Sequence, residues 1–526
     1  MKKLQNFFLF FFCFSLFTAC KNNVKIDKPI TSEEISNWFK NNPENELFNS
    51  ETTIAFYNTR DYAPAWNSEQ TRASLLEQLE KASGEGLSFE DYHGKELQNF
   101  FQNKKTPSKN ERIHIEVLLT DAYLKYADHL LYGKLDPKKI YEIWGVDRKE
   151  IDLGKRLQKA IENQAIEKSL ADLKPQNEIY SGLKKSLLEY RKLRNDKTTS
   201  TKIEEGKVIK PGDTDERVPA IAERLKEVGV LEKSYDASTC IYDETLQNAV
   251  KEFQTKKGLA NDVILGNSTL QELNLGTKDR YNQLLANLER WRWYPRNLGN
   301  HYILVNIPNY QLSVVKNGDT LRKHNVIAGD KTHHTPVFSD SVQYIVINPE
   351  WNIPTSIRNN EIIPKASSDP NYLESRNIYV TDSNGERVDP STIDWSGNAA
   401  KNYRFTQGAG SSNALGQLKI IYPNQYAIYL HDTPAQAIFN QNSRAESHGC
   451  VRVQNVVELA AYLLSNQKEW SLERLKKAIA SKETKRIKVT QPVQVHHFYW
   501  TAWRKEGETV FINDIYDLDK EIYSKL

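Results

Sequence analysis

Tyr302-Ile303-Leu304-Val305-Asn306-Ile307-Pro308-Asn309-Tyr310-Gln311-Leu312-Ser313-Val314-Val315 consists of two apolar runs rich in β-branched residues around a Pro-Asn-Tyr turn. Alternation with a turn signal between the runs predicts a β-hairpin. Further strands are expected over Val342–Ile347 and Tyr426–Leu430, and alternation returns over Val493–Trp503 and Thr509–Asn513. Residues 351–406 are polar and turn-rich, with little strand periodicity. An insertion of that size inside a β-rich region reads as a lid or capping element.

Upstream the period is helical. Leu75, Leu76 and Leu79, then Val117, Leu118, Leu119, Tyr123, Leu124 and Ala127, recur at helix spacing, and residues 29–205 read as a helical domain. The polar Asp196–Gly212 stretch ends in Pro-Gly and reads as a linker. A small module over 206–276 follows, with helices expected at Val218–Val228, at Asp243–Lys256 and from Asn267. The β-rich part spans 280–466, and 467–526 is a C-terminal extension.

At 526 residues, with 39% hydrophobic and 26% charged, the chain is a folded protein of several domains. A formal charge of +3 with no basic stripe speaks against nucleic acid. At the N-terminus, Lys2 and Lys3 precede an apolar run from Phe7 to Ala19 that suits a signal-peptide core over 1–19. Phe17-Thr18-Ala19-Cys20 resembles a bacterial lipobox, which would make Cys20 a lipidated first residue and 20–28 a tether. The alternative is an ordinary cleaved secretory signal. Either way the protein is exported.

The mature chain then keeps only Cys240 and Cys450, so it is not built on disulfides. Cys240 reads as structural. Cys450 lies in Ser447-His448-Gly449-Cys450-Val451-Arg452-Val453, with Tyr429-Leu430-His431-Asp432-Thr433-Pro434 upstream. A thiolate is a good nucleophile toward an acyl carbon, and a nearby imidazole can generate it. Gly449 permits a sharp turn that leaves amide N–H groups free for an oxyanion, and Arg452 is placed to hold a carboxylate or brace the loop. The pairs His333-His334 and His496-His497 suggest no metal site, because neighbours on a strand face opposite ways.

His431, fifteen residues, then Ser447-His448-Gly449-Cys450 resembles the signature of YkuD-type L,D-transpeptidases. Gly408, Asn413-Ala414-Leu415-Gly416 and Lys419 fit the segment that precedes the histidine in that family. The 206–276 module is similar to a three-helix peptidoglycan-binding domain, with Asp262-Val263 where that family usually has Asp-Gly. Phe56-Tyr57, Pro64-Ala65-Trp66, Leu119-Thr120-Asp121, Asn287 to Trp293, Thr501-Ala502-Trp503 and Asp514-Ile515-Tyr516 resemble the large YcbB-like class.

The resemblance implies an α+β multidomain fold: a helical scaffold, the three-helix module, and a β-rich catalytic domain capped by 351–406. It implies Cys450 as nucleophile, His431 as general base and the Asp432 carbonyl orienting the imidazole. The Gly449 and Cys450 amides would form the oxyanion hole, with His448 shaping the site. Arg452, Ser447, Trp351 and Tyr403 would meet substrate. The implied reaction needs no cofactor. Cys450 would attack a tetrapeptide stem, release D-Ala and pass the acyl group to a second stem, giving a 3→3 cross-link. The implied partners are donor and acceptor stems, glycan strands, the membrane through the lipid, and carbapenem-type inhibitors. Two other outcomes stay open: a carboxypeptidase, endopeptidase or protein-anchoring acyltransferase on the same site, or a non-catalytic wall-binding lipoprotein. In each case the expected location is the periplasmic side of a bacterial membrane.

Overall fold

A computed structural model describes residues 29–42, 47–147, 150–193, 202–395 and 397–526. The signal segment, Cys20 and the tether lie outside the described residues. Contacts divide the chain into two units, the first holding residues up to 83, 88–127 and 152–171, the second 84–87, 128–151 and 172–526.

The first unit is helical, and two carboxylates organise it. Glu116 is buried and accepts from Tyr57 Oη at 3.1 Å, from the Ala65 N–H and from the Trp66 N–H at 3.3 Å. Asp121 is buried one turn along and accepts from the Phe48 and Asn49 N–H groups at 2.9 and 2.8 Å and from Thr53 Oγ1 at 3.0 Å. Both stand on helix Lys109–Tyr132, whose apolar positions Val117, Leu118, Leu119, Tyr123, Leu124 and Ala127 are buried as their spacing predicts.

The strands of the second unit, in chain order, are β1 Trp144–Gly145, β2 His301–Asn306, β3 Gln311–Lys316, β4 Asp319–Gly329, β5 Val337–Ser341, β6 Tyr344–Ile347, β7 Trp351–Asn352, β8 Ile378–Thr381, β9 Arg387–Val388, β10 Arg404–Gln407, β11 Leu418–Ile421, β12 Leu430–His431, β13 Ala445–Ser447, β14 Val451–Val453, β15 Lys485–Lys488, β16 Gln494–Phe498, β17 Ala502–Lys505 and β18 Glu508–Phe511. The expected hairpin is β2–β3, paired from His301↔Lys316 to Asn306↔Gln311. The main sheet runs β1-β5-β16-β2-β3-β4-β14-β12-β11-β6-β15, with β13 beside β4.

The strand expected over Tyr426–Leu430 is shorter, beginning only at Leu430. Asn424 closes a loop there instead. Its Nδ2 donates to the Tyr422 and Ile428 carbonyls at 2.7 and 2.8 Å, its Oδ1 accepts the Tyr426 and Ile428 N–H groups at 3.1 Å, and Ala427 takes a φ of +55°. Residues 351–406 likewise hold more order than their polar sequence suggests. β7, β10, β8 and β9 form a separate sheet, and Ile362, Ile363, Leu373, Val380 and Phe405 bury a core of its own. These apolar residues are spread over short helices and strands, so no single window carries a clear period.

Helix Thr277–Trp293 is buried along most of its length and carries the Arg290 and Arg292 charges inside. Arg290 pairs with Asp519 and donates from Nε to Tyr141 Oη at 2.8 Å; Arg292 pairs with Glu289 at 2.5 Å and donates to the Glu85 carbonyl at 2.8 Å. Asn287 Oδ1 accepts the Thr501 N–H at 2.8 Å, which fixes the C-terminal extension on this helix. Buried charges must be paired, so losing one partner costs about 3–5 kcal/mol.

Helices Val218–Glu227, Glu244–Lys257 and Asn267–Asn274 form the small module. Its core takes in Ile209, where the expected linker overlaps the module, and Ile203, which the sequence reading placed in the linker alone: Ile209 bridges Leu265, and the Ile203 N–H donates to Asn274 Oδ1 at 2.8 Å. Residues 196–201 of that linker lie outside the described residues. Val263 sits at φ +58° before the third helix, its N–H donating to Gln254 Oε1 at 3.0 Å. A left-handed β-branched residue is strained by roughly 1–2 kcal/mol, whereas glycine loses about 0.5–1 kcal/mol more backbone freedom on folding. Val263→Gly should therefore stabilise the module by about 0.5–1 kcal/mol, read as a higher urea midpoint; a lower midpoint would contradict the strain argument.

Candidate active site

Strand register brings the site together. β12 pairs parallel with β14, setting Leu430 opposite Val451 and His431 opposite Arg452. Registered side chains share a face and alternate along each strand. Cys450, two residues before Arg452, therefore belongs to the face that carries His431 and Tyr429. β11 adds Lys419 opposite His431, β6 adds Val346 opposite Lys419, and β15 adds Arg486 opposite Val346. One line across the sheet thus reads Arg452, His431, Lys419, Val346, Arg486. Among the described residues no carboxylate forms a salt bridge with these three cations; the Lys419 ammonium instead lies 5.6 Å over the Tyr429 ring and the Arg486 guanidinium 3.7 Å over Tyr344.

His431 is buried, and its Nδ1–H donates to the Asp432 carbonyl at 2.5 Å. That leaves Nε2 as the free basic nitrogen. The preceding loop holds Asp432 in place: the Gln417 N–H donates to Asp432 Oδ2 at 2.9 Å, and a Cβ on Gly416 (φ +60°) would fall 2.4 Å from the same side chain. Asn413, fully buried, ties that loop by donating to the Gly408 carbonyl at 2.9 Å and accepting the Leu415 N–H at 2.8 Å.

The Cys450 turn is built on Gly449, at φ +101°. Ser447 Oγ donates to the Cys450 carbonyl at 2.6 Å and accepts the Gly449 N–H at 3.2 Å. Ser447 is buried and braces the turn through both of these bonds. The Gly449 amide is engaged, while the Cys450 N–H makes no hydrogen bond among the described residues. Tyr403 packs, partly buried, on the core of the 351–406 insertion, and its carbonyl accepts from Arg358 at 3.0 Å.

The thiol lies 3.7 Å from the Ala427 carbonyl and is in hydrogen-bonding reach of the Tyr429 hydroxyl, which also reaches the Trp351 side chain. Trp351, on the first lid strand, thereby touches the site through Tyr429. His448 turns the other way, its Nε2 2.8 Å from Glu361 Oε1 in the lid and its ring 4.7 Å from His333. Sequence reasoning missed Tyr429 and Glu361. Tyr429 was findable, since it stands two residues before His431 on the same face; Glu361 was not, because only the folded lid brings it near. His496 and His497 each have protein partners: Ser339 and the Leu298 carbonyl for the first, Tyr422 Oη for the second. Cys240 and Cys450 are both free thiols.

Residues 300–495 match the model of the L,D-transpeptidase catalytic domain, YkuD. The chain carries a YkuD L,D-transpeptidase catalytic domain. Residues 51–187 match the "Scaffold domain" and 214–273 the "Putative peptidoglycan binding domain". A "Putative L,D-transpeptidase" of Haemophilus influenzae is 38% identical over 272 residues, which is 51% of this chain and 55% of the relative. The chain thus spans about half the length of that curated relative. Among solved structures it resembles an L,D-transpeptidase of Xylanimonas cellulosilytica (15% identity, 56% of this chain and 99% of that one, TM-score 0.18) and one of Stackebrandtia nassauensis (11%, 57% and 97%, TM-score 0.21).

Burial governs the protonation of the YkuD site. It pulls His431 down to about 3, with the Arg452 charge acting the same way. It pushes the Cys450 thiol up, against hydrogen bonds from Tyr429 and the charges of Arg452 and Lys419. The resting pair is therefore neutral imidazole and neutral thiol, not an ion pair. Alkylation of Cys450 by iodoacetamide should climb with pH through 9 with no plateau near neutrality. A pH-independent plateau between pH 5 and 8 would mean a preformed thiolate and sink this account.

Proposed function

We propose that this chain is an L,D-transpeptidase that forms 3→3 peptidoglycan cross-links through a thioester on Cys450, with His431 as general base. The observation that carries the reading is the β12–β14 register, which sets Cys450 and His431 on one face while the Asp432 carbonyl holds Nδ1–H and leaves Nε2 to take a proton.

The thiol adds to the carbonyl between the third and fourth residues of a tetrapeptide stem as its proton passes to His431 Nε2. The Cys450 N–H holds the oxyanion. Collapse breaks the peptide bond; the imidazolium returns the proton to the leaving D-Ala amine, and a thioester remains. The side-chain amine of a second stem attacks, its proton passes through His431 to the departing sulfur, and the new amide is the cross-link. The thioester keeps the free energy of the broken bond, so no ATP is consumed. Arg452, two residues from the nucleophile and without a salt bridge among the described residues, is suited to a stem carboxylate. The 214–273 module would place the enzyme on the wall, and carbapenems would acylate Cys450.

Export and lipidation of Cys20 belong to the same reading. Among the described residues no helix is long and apolar enough to cross a membrane. Fatty-acid labelling should mark the wild-type chain and leave Cys20→Ala unmarked; equal labelling of both rejects the anchor.

The reaction is tested with purified protein, a disaccharide-tetrapeptide and Cys450→Ala in parallel. Intact mass should give a transient acyl adduct on the wild type alone, with cross-linked dimer lacking one D-Ala among the products. An adduct with only monomeric tripeptide would make the enzyme a carboxypeptidase. Absence of adduct and product with this donor and with a carbapenem would leave the wall-binding reading.

A further inference from the structure

The segment between β4 and β5 closes a hydrogen-bonded circuit against the catalytic turn. Thr335 Oγ1 donates to the Gly449 carbonyl at 2.8 Å and accepts the Gly329 N–H at 2.8 Å. The Thr335 N–H donates to the Tyr516 hydroxyl at 3.1 Å, and that hydroxyl donates to the Gly329 carbonyl at 2.7 Å. Thr335 and Tyr516 are both buried. The approach leaves no slack: a Cβ on Gly329 would fall 2.0 Å from the His333 carbonyl and 3.1 Å from the Gly449 Cα.

Tyr516 is itself fixed from the C-terminal side. Its N–H donates to the Tyr499 hydroxyl at 3.1 Å, and Tyr499 donates to Asp514. Asp514 accepts the Asp519 N–H at 2.5 Å, and Asp519 is the partner of buried Arg290. The His334 ring stacks on Tyr516 with centroids 3.9 Å apart.

The Gly449 carbonyl and the Cys450 N–H belong to one peptide plane. In a trans peptide they point in opposite directions, so holding one aims the other. We propose that Thr335 is a positioning residue for the oxyanion step, gripping the Gly449 carbonyl so that the Cys450 N–H faces the reacting carbonyl, and that Tyr516 holds Thr335 in place. The inference rests on the thioester reading. It makes the C-terminal extension part of the catalytic apparatus, although no residue of it touches the thiol.

Two reactions of the same sulfur separate positioning from folding. Acylation by a carbapenem or a tetrapeptide donor passes through an oxyanion; alkylation by iodoacetamide is a direct displacement and forms none. Both are followed by intact mass on the full chain for wild type, Thr335→Val, Thr335→Ser and Tyr516→Phe. Losing an oxyanion donor costs about 100- to 1,000-fold in rate, so misaiming one should cost about 10- to 100-fold. Thr335→Val should slow acylation by that factor with the alkylation rate unchanged. Thr335→Ser, which keeps the hydroxyl, should recover to within a few fold, and Tyr516→Phe should fall between. If Thr335→Val melts below the assay temperature, Tyr516→Phe carries the test, because it keeps the Thr335 hydroxyl. Equal loss of acylation and alkylation would make the circuit merely structural, and unchanged acylation in Thr335→Val and Tyr516→Phe would remove the inference alone. A wild type that is alkylated but never acylated overturns the thioester reading and this inference with it.

Discussion

The parallel pairing of β12 with β14 is the constraint on which the site depends. It is only two residues long, Leu430 with Val451 and His431 with Arg452. A one-residue slip would turn every side chain of one strand to the opposite face. Neither strand could hold that register alone, so the neighbours and loops hold it. β11 and β4 pair on the outer sides, Asn424 closes the loop before β12, and Asp432 is anchored by the Gln417 N–H just after it. The Gly449 turn sets the entry into β14. Much of the surrounding structure can be read as fixing these few residues, since a base and a nucleophile misplaced by about 1 Å lose rate on the order of 100-fold.

Legibility followed the range over which the physics acts. The β2–β3 hairpin was plain in the sequence because alternation and turn chemistry are local. The helix around Val117–Ala127 was plain for the same reason, its apolar face falling at helix spacing. The Cys450 turn was visible because Gly449 marks it. What failed was what depends on distant partners. Ser447 is a local case: its hydroxyl lies between Gly449 and Cys450, a turn geometry that its residue type alone does not announce. Ile203 lay in a polar stretch that read as a linker, and Ile209 where that stretch overlaps the module; the module's core recruits both because Ile209 bridges Leu265 and Ile203 bonds Asn274. The 351–406 insertion looked irregular because its core draws single apolar residues from many short elements. Thr335 and Tyr516 could not be connected across 181 residues from sequence pattern alone.

The electrostatics of the site favour one charge over the other. Arg452 and Lys419 stand on either side of His431 in register, and both act against its protonation. The same two cations act in favour of a negative sulfur. Burial opposes both charges, so the resting state is neutral. In the proposed acyl transfer, as the thiol adds to a carbonyl, negative charge moves toward the Cys450 N–H, and only the imidazolium is left in an unfavourable field. An imidazolium so placed is a strong acid, which suits it to protonate a leaving amine, whose departure from a tetrahedral intermediate requires that proton. The neutral resting pair is then consistent with the proposed acyl transfer: the proton is held by sulfur until a substrate carbonyl arrives, and is passed on readily once the peptide bond begins to break.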